Sequence, residues 1–316
     1  MTASVVVTGA AVLLPGADSL PALLTGPAAG GEPPAPAGLV GKKGLRYKDR
    51  ATQLGYCLAV AALRDAGLVE GEKPTGTTVP AESVGVVASS NYGNLDTVAR
   101  ALDTIREETV TGTSPMDLPN ASSNVIASSI AIRYQLRGPN LMVCNGATSG
   151  LDAVRWAATM IRAGRVSRVL VLGVEPDNEV VRRLLDGRRA VDGGAAVVLE
   201  AAEAAAERGV APRAVLGRQT RAGDTAAVLE RLSGDEARWL GPEAGPGGDA
   251  PAALPVEAGA ALPEHSGRAS GALGVLQLAT AVGWFDEGAV GRVVALAGTA
   301  GDDASAGLEL IAPGAP

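Results

Sequence analysis

Cysteine and histidine do most of the nucleophilic and metal chemistry in proteins, and this chain of 316 residues carries only Cys57, Cys144 and His265. One histidine cannot build a multi-histidine metal site, and no C-x-x-C or Cys/His ligand spacing occurs, so no metal and no other cofactor is expected. The stretch that could carry chemistry is 144–150, Cys-Asn-Gly-Ala-Thr-Ser-Gly. An apolar run ends at Cys144, and helical spacing begins near Gly150. Nucleophilic enzymes place the attacking residue on such a turn. The turn lifts the side chain clear of a sheet, and the helix N-terminus stabilises negative charge on it. Thr148 and Ser149 stand in this turn. Cys144 lies at the strand end, where it reads as a small buried apolar residue, and His265 reads as a solvated loop histidine. A second glycine-spaced turn, TGAAVLLPG at 8–16, lacks the G-x-G-x-x-G spacing, and no acidic residue follows a second strand where one is needed. That argues against a nicotinamide-nucleotide enzyme.

The elements that must position the turn follow from the hydrophobic pattern. Residues 5–8, 84–88, 141–144, 168–172 and 195–200 read as strands, and 48–67, 94–108 and 151–162 carry helical apolar spacing. A weaker repeat of the same grammar follows, with strands at 214–217, 253–257, 293–297 and 307–311 and helices at 222–232 and 270–283. The alternation argues a layered α/β fold. The Gly/Pro-rich segments 26–41 and 241–253 read as long surface loops.

Composition excludes whole classes. Apolar residues make up 47% of the chain, enough for a large core without a disulfide framework. A formal net charge of −7 and only 3% aromatics give neither a basic footprint nor stacking platforms, so no nucleic acid is expected. The longest late uncharged stretch, 269–285, is dotted with glycine and falls short of a membrane span. No Lys or Arg precedes Lys42, so the charged start of a secretory leader is missing and a cytoplasmic protein is the expectation.

Several ordered motifs carry a resemblance. Segment 133–175 reads RYQLRGPNLMVCNGATSGLDAVRWAATMIRAGRVSRVLVLGVE. It resembles the β-ketoacyl synthase branch of the thiolase-like superfamily, whose members carry a Gly-Pro pair, a short strand and an Ala-Cys-Thr/Ser-Ser-Gly-like turn before a helix. Gly138-Pro139 and Thr148-Ser149-Gly150 match. So do the runs GLRYKDRATQLGYCLAVAALRDAGL, VGVVASSNYGN and SPMDLPNASSNVIASSIAIRYQLRGPN. The likeness covers 5–200 well and 264–311 more weakly. It implies a thiolase-like fold of two duplicated α/β halves in an α-β-α-β-α stack, with residues 1–200 as one half and a shortened 201–316 as the other.

The departures bear on function. By this resemblance the nucleophilic Cys falls on Ala147. The family's second His falls on Arg268, within Gly267-Arg268-Ala269-Ser270-Gly271-Ala272-Leu273-Gly274. The first, in a His-Gly-Thr-Gly-Thr run, has no counterpart in 233–260, and the late Gly-Phe-Gly-Gly loop is reduced to ALAGTAG at 295–301. Alanine cannot attack a thioester, and a fixed cation cannot relay a proton. The oxyanion-hole task of the histidines goes unfilled. The resemblance is nearest to the chain length factor, or ketosynthase β-subunit, of type II polyketide synthases. It implies a non-catalytic subunit that pairs with an active ketosynthase, completes its acyl tunnel and meets an acyl carrier protein transiently. Aromatic-pathway factors typically carry Gln where Ala147 stands, so a highly reducing, polyene-forming system fits better. By motif position Met116, Asp117 and Leu118 reach toward the tunnel, and Asn124, Val125 and Ile126 begin a helix at the interface. Leu141 and Val143 lie on the strand near the two-fold axis, with Cys144 at its end. Arg133, Arg137, Arg155, Arg162, Arg165 and Arg168 are candidates for a patch that meets the acidic carrier. The alternative is a stand-alone thioester acyltransferase, decarboxylase or hydrolase using Cys144, Thr148 or Ser149, helped by His265.

Overall fold

The structure is a computed structural model that describes residues 3–115, 118–232, 237–243, 262–299 and 301–314. The chain opens with β1 (Val5–Leu13), short helices α1 (Leu20–Thr25) and α2 (Pro36–Val40), and the long helix α3 (Arg50–Asp65). There follow β2 (Val84–Ser89), α4 (Leu95–Glu108), α5 (Val125–Tyr134), β3 (Asn140–Val143), α6 (Ser149–Arg162), β4 (Arg168–Glu175), α7 (Glu179–Leu184) and β5 (Gly193–Ala201). After α8 (Ala202–Glu207) come β6 (Ala214–Ala222), α9 (Thr225–Leu232), β7 (Ala237–Leu240), α10 (Leu273–Asp286), β8 (Arg292–Ala297) and β9 (Ser305–Ile311). Segment 26–41, expected as loop, holds α2, which starts at Pro36, where proline suits a first helical position. The strand expected at 253–257 lies outside the described residues. β7 was not expected.

The strands run in the order β3-β2-β4-β5-β1-β6-β9-β8-β7. Two half-sheets meet edge to edge through only two residue pairs of β1 and β6, Val6 with Val215 and Val7 with Ala214. Side-chain alternation then sorts the layers. Val5, Val7, Ala10 and Val12 of β1, Val169 and Val171 of β4, and Val197 and Leu199 of β5 pack in one core with α6 and α10. Val84 and Val86, Leu170 and Leu172, and Ala196 and Val198 face the opposite way and pack with α3 and α5. The phase change in β1 falls at a register shift between Val7 and Gly9, as a β-bulge requires. In the second half-sheet Val293, Ala295 and Leu308 join the central core, while Val294 and Leu296 face α9. The stack is therefore α3/α5, half-sheet, α6/α10, half-sheet, α9.

The two halves repeat one topology. In the first, β2-β4-β5-β1 are joined by a parallel pair and then two antiparallel pairs. In the second, β7-β8-β9-β6 show the same sequence of pairings. β3 has no described counterpart in the second half. We propose 1–200 and 201–316 as the two units, the second being the shorter.

Local sequence accounts for the long helices. Asp49 caps α3 by accepting from Thr52 N at 2.8 Å and Thr52 Oγ1 at 2.7 Å. α10 is apolar nearly all round, as a helix enclosed by two sheets must be. Its one buried amide, Gln277, donates to the carbonyls of Gly241 at 2.9 Å and Leu296 at 2.8 Å, tying the helix to the strand ends around it. α6 and α10 cross where Gly150 meets Gly274. A Cβ on Gly150 would stand 2.6 Å from Gly274 N, and one on Gly274 would stand 2.6 Å from the Gly150 carbonyl carbon and overlap Leu151 N. No described helix is long and apolar enough to cross a membrane.

Backbone cannot move aside as a flexible side chain can. Gly150→Ala and Gly274→Ala are each expected to lower unfolding free energy by about 1–3 kcal/mol, read from urea midpoints. Gly76→Ala, where an added Cβ meets nothing within 4 Å, should be close to neutral.

Candidate functional site

The crossing of α6 and α10 brings their N-termini together at the carboxyl ends of the parallel strands, the usual place for a site in an open α/β sheet. The turn after β3 runs 144–149, with Gly146 at φ +82°. Facing it, the turn before α10 runs 267–272, with Ser270 at φ +43°, a backbone conformation that L side chains rarely adopt. Between them lies a cavity of about 290 Å³ lined by Asn91, Tyr92, Gly146, Ala147, Glu243, Arg268, Ser270, Leu273, Gly298 and Asp302.

Asn91, just past β2, holds the two turns together. Its Nδ2 donates to Gly146 O and to Ser270 Oγ, each at 2.9 Å. Its Oδ1 accepts from Gly146 N at 3.2 Å and lies 2.9 Å from Ser149 Oγ. Ser149 is fully buried and also accepts from Asn145 N at 2.9 Å. Thr148 Oγ1 and Asn145 Nδ2 donate to Asp152 at 2.8 and 2.7 Å, and Arg221 on β6 pairs with the same carboxylate at 3.3 Å. The turn's hydroxyls are thus spent on its own framework, and the one carboxylate beside them, Asp152, is itself held by Asn145 and Arg221.

Ala147 and Arg268, the positions singled out from sequence, line one cavity. Arg268 is held by its backbone, which bridges to 189–191, donating to Arg189 O at 2.8 Å and accepting from Val191 N at 3.1 Å. Its guanidinium reaches Glu243 at 3.4 Å. Glu243 was missed from sequence. It follows β7 in the region where the resemblance sought the first His, and with so short a strand unmarked in the sequence there was no signal to locate it. Glu243 also accepts from the backbone N–H groups of Ala269 and Ser270. Asp302 accepts from Thr299 N at 2.7 Å.

His265 does not line the cavity. Its exposed ring sits 2.9 Å from Pro27 O, pinning the 26–41 segment. Cys144 is exposed, contrary to the expected burial. It directly follows the edge strand β3, whose outer side pairs with no other strand among the described residues. What shielding it has, together with the neighbouring Glu175 carboxylate, raises its thiol pKa, so it is not activated. Met116 and Asp117 lie outside the described residues. Leu118 is 43% exposed and lines a separate cleft. Asn124 is exposed, whereas Val125 and Ile126 pack into the chain's own core rather than outward. Leu141 is half-buried, and Val143 joins the central core.

The six arginines do not form one patch. Arg168 is an internal strut, 2.7 Å from buried Glu200. Arg133 lies over the Tyr56 ring and donates to Val40 O at 2.8 Å. Arg137 pairs with Glu82 at 3.5 Å. Among the described residues no group of three or more His, Cys, Asp or Glu is placed to hold a metal ion.

Beneath the cavity lies Glu175, the last residue of β4, fully buried. It accepts from Ser90 Oγ at 2.8 Å, Asn91 N at 2.7 Å, Tyr92 N at 3.0 Å and Gly271 N at 2.9 Å. No ion pair reaches it among the described residues. Burial outweighs the four donors and pushes its carboxyl from 4.5 up to about 7. The folded chain therefore holds this proton at a pH where the unfolded chain has released it. Stability should fall as pH rises from 4.5 to about 7 and then level off, with a slope of at most about 1.4 kcal/mol per pH unit. Urea titrations across that range should show this component in the parent chain and not in Glu175→Gln.

Comparison with known proteins follows the same outline. The family model for the β-ketoacyl synthase N-terminal domain matches residues 35–195. The 3-oxoacyl-[acyl-carrier-protein] synthase 2 of Vibrio cholerae is 31% identical over 134 residues, covering 42% of this chain and 31% of that protein. The corresponding synthase of Coxiella burnetii is 29% identical over 140 residues, covering 44% of this chain and 32% of its own length. The chain thus spans about a third of the length of the curated relatives it matches. Among solved structures, the ishigamide ketosynthase/chain length factor superposes with a TM-score of 0.80 at 21% identity, covering 98% of this chain and 100% of that one. A type II polyketide synthase acyl-carrier protein in complex with its ketosynthase, AntDE:AntF, includes a chain that superposes at 0.80 and 15% identity, covering 98% and 99%. At these identities the superpositions show the thiolase-like fold. With half of its length matched by the family model and the whole fold shared, the chain belongs to the β-ketoacyl synthase family.

Proposed function

We propose that this protein is a non-catalytic subunit of chain-length-factor type, which pairs with an active ketosynthase and completes its acyl tunnel. The observation that carries the reading is the content of the cavity. Where the resemblance puts a nucleophile and a histidine stand Ala147 and Arg268, with Glu243 opposite. Condensation passes through a thiolate, an oxyanion and a carbanion, all negative. This cavity sets the carboxylates of Glu243 and Asp302 against one guanidinium already paired with Glu243. With two carboxylates to one guanidinium, its side-chain charges work against each of those anions.

The sheet edge supports a partner. β3 is the outermost strand and, among the described residues, pairs only with β2. Its flanking helices expose Ile132 on α5 (73%) and Trp156 on α6 (47%). An open edge with apolar side chains beside it invites pairing with another chain. The solved structures of like fold include a ketosynthase/chain length factor and a ketosynthase bound to an acyl-carrier protein. A ketosynthase as stable partner and an acyl carrier as transient one are therefore the reading for this chain. Ala147 favours a highly reducing, polyene-forming system over an aromatic one.

The test is co-expression with an active type II ketosynthase from the same biosynthetic cluster, only this chain being tagged, followed by native mass spectrometry. A one-to-one complex is expected. Leu141→Asp, which puts an unpaired charge on the edge strand, should reduce retention at least ~tenfold. Ala147→Cys should leave the chain unable to condense acyl thioesters. A tagged chain recovered as a homodimer that turns over thioesters would overturn the proposal.

A further inference from the structure

Helix α4 carries an apolar pattern that the chain's own packing does not consume. Its sequence, LDTVARALDTIREE, repeats Leu-Asp-Thr-Val at 95–98 as Leu-Asp-Thr-Ile at 102–105. Leu95, Val98, Leu102 and Ile105 therefore fall at the alternating spacing of three and four that makes a coiled-coil seam. Within α4 only Thr97 is buried. Leu95 and Val98 are half-buried, whereas Leu102 is 61% and Ile105 38% exposed. The seam is thus open along its outer half. Ala99 and Ala101 flank it, and side chains this small let a second helix approach closely.

The charges on α4 suit a second α4 in one direction. In an antiparallel pair, residues of one seam row face the other row of the partner helix. Setting Leu102 against Ile105 of a copy brings Arg106 of the copy over Ala99 and Glu108 of the copy over Ala101. The helical neighbours of Ala99 at three and four positions include Asp96 and Asp103. Arg106 of the copy therefore lands between two carboxylates. Asp96 is only loosely engaged, by Arg100 at 3.7 Å. Beside Ala101 stand Thr97 and Thr104, so Glu108 of the copy meets no like charge on the helix. Parallel pairing would instead bring both C-terminal turns together, each with Glu107 and Glu108 and the negative end of its helix dipole.

We infer that α4 is a self-association surface, on which a second copy of this chain lays its own α4 antiparallel. One helix against one helix is a small contact, at the low end of interface sizes, so the association is weak and concentration-dependent. It uses no residue of the β3 edge and does not rest on the proposed function. A ketosynthase complex joined in this way would hold two copies of each subunit.

The test is sedimentation velocity of the chain, or of its complex if the chain is obtained only with a partner, at rising protein concentration. The sedimentation coefficient is expected to climb from the value of one unit toward that of two. Leu102→Glu and Ile105→Glu should each weaken the association at least ~tenfold, because each puts an unpaired charge in the seam. Both positions are exposed, so the variants should keep the parent circular dichroism spectrum. Ala99→Glu sets a further carboxylate against Arg106 of the copy and should tighten the association about threefold, through two symmetry-related surface pairs. Ala99→Arg should loosen it by a similar factor. Val290→Glu, a like change at an 87% exposed residue outside α4, should associate as the parent does. A coefficient that does not change with concentration, or Leu102→Glu associating like the parent, would overturn the inference. So would release of a bound ketosynthase by Leu102→Glu, since that partner and not a second copy would then cover the seam.

Discussion

Two glycines, Gly150 and Gly274, set the distance between the central helices, and the geometry of the site follows from that distance. Each stands near the start of its helix, so their contact forces the two N-termini to share one place. The turns leading into those helices must then face each other, which is why Ala147 and Arg268, 121 positions apart in sequence, line the same cavity. The tight packing continues into the sheet. A Cβ on Gly173 would lie 2.8 Å from the Ala272 backbone, and one on Gly271 would strike Glu175 and Asn91. Because the halves repeat one topology, α6 and α10 are counterparts, and their crossing lies on the approximate symmetry of the fold. The site is thus a consequence of duplication plus a glycine contact.

The buried carboxylates show how differently the two poles of the stack are built. At the amino ends of the parallel strands, Arg168, the first residue of β4, pairs with Glu200 of β5, and Arg208 joins at 2.6 Å. The second half answers with Arg292, the first residue of β8, on Glu309 of β9, with Arg218 joining at 2.6 Å. Each half therefore closes its base with a glutamate held by two arginines. Such a group is costly to break, because removing one partner leaves a buried charge uncompensated. At the opposite pole Glu175 has only neutral donors, and its pKa rises accordingly. Nothing about the residue type distinguishes Glu175 from Glu200; the presence or absence of arginine does.

Much of the frame was legible in sequence because it rests on local signals. Runs such as VGVVAS and RVLVLGVE are apolar, β-branched and bounded by turns, so β2 could be placed to within one residue and β4 from its first residue, although β4 runs on to Glu175, three residues past the expected end. Ala147 and Arg268, which line one cavity, were singled out because their flanking glycines kept the motif spacing. What failed depends on contacts distant in sequence. Arg168 reads as surface charge until Glu200, 32 residues on, is seen beside it. Val125 and Ile126 read as an interface until α3 is seen to cover them. β7 is four residues long, begins Ala-Arg and runs into a Gly/Pro-rich stretch, so no window could register it. With β7 unseen, Glu243 had no address, and the ion pair across the cavity could not be anticipated.

That ion pair bears on the proposed loss of catalysis. A catalytic pocket keeps donors and bases unsatisfied by protein so that they can meet the substrate as charge develops. Here the polar groups satisfy one another. Glu243 joins Arg268 and the backbone of Ala269 and Ser270. Asn91 spends its amide on both turns. Asp152 gathers Asn145, Thr148 and Arg221. The same bonds that leave little for a substrate join the strand ends, both central helices and the turn that follows the open edge strand. Val143 O accepts from Ser90 N at 3.3 Å, and Ser90 Oγ in turn donates to Glu175. The edge proposed to meet a partner is therefore continuous, bond by bond, with the floor of the cavity. In the proposed non-catalytic subunit, polar capacity that would serve chemistry in an active synthase holds that edge in shape.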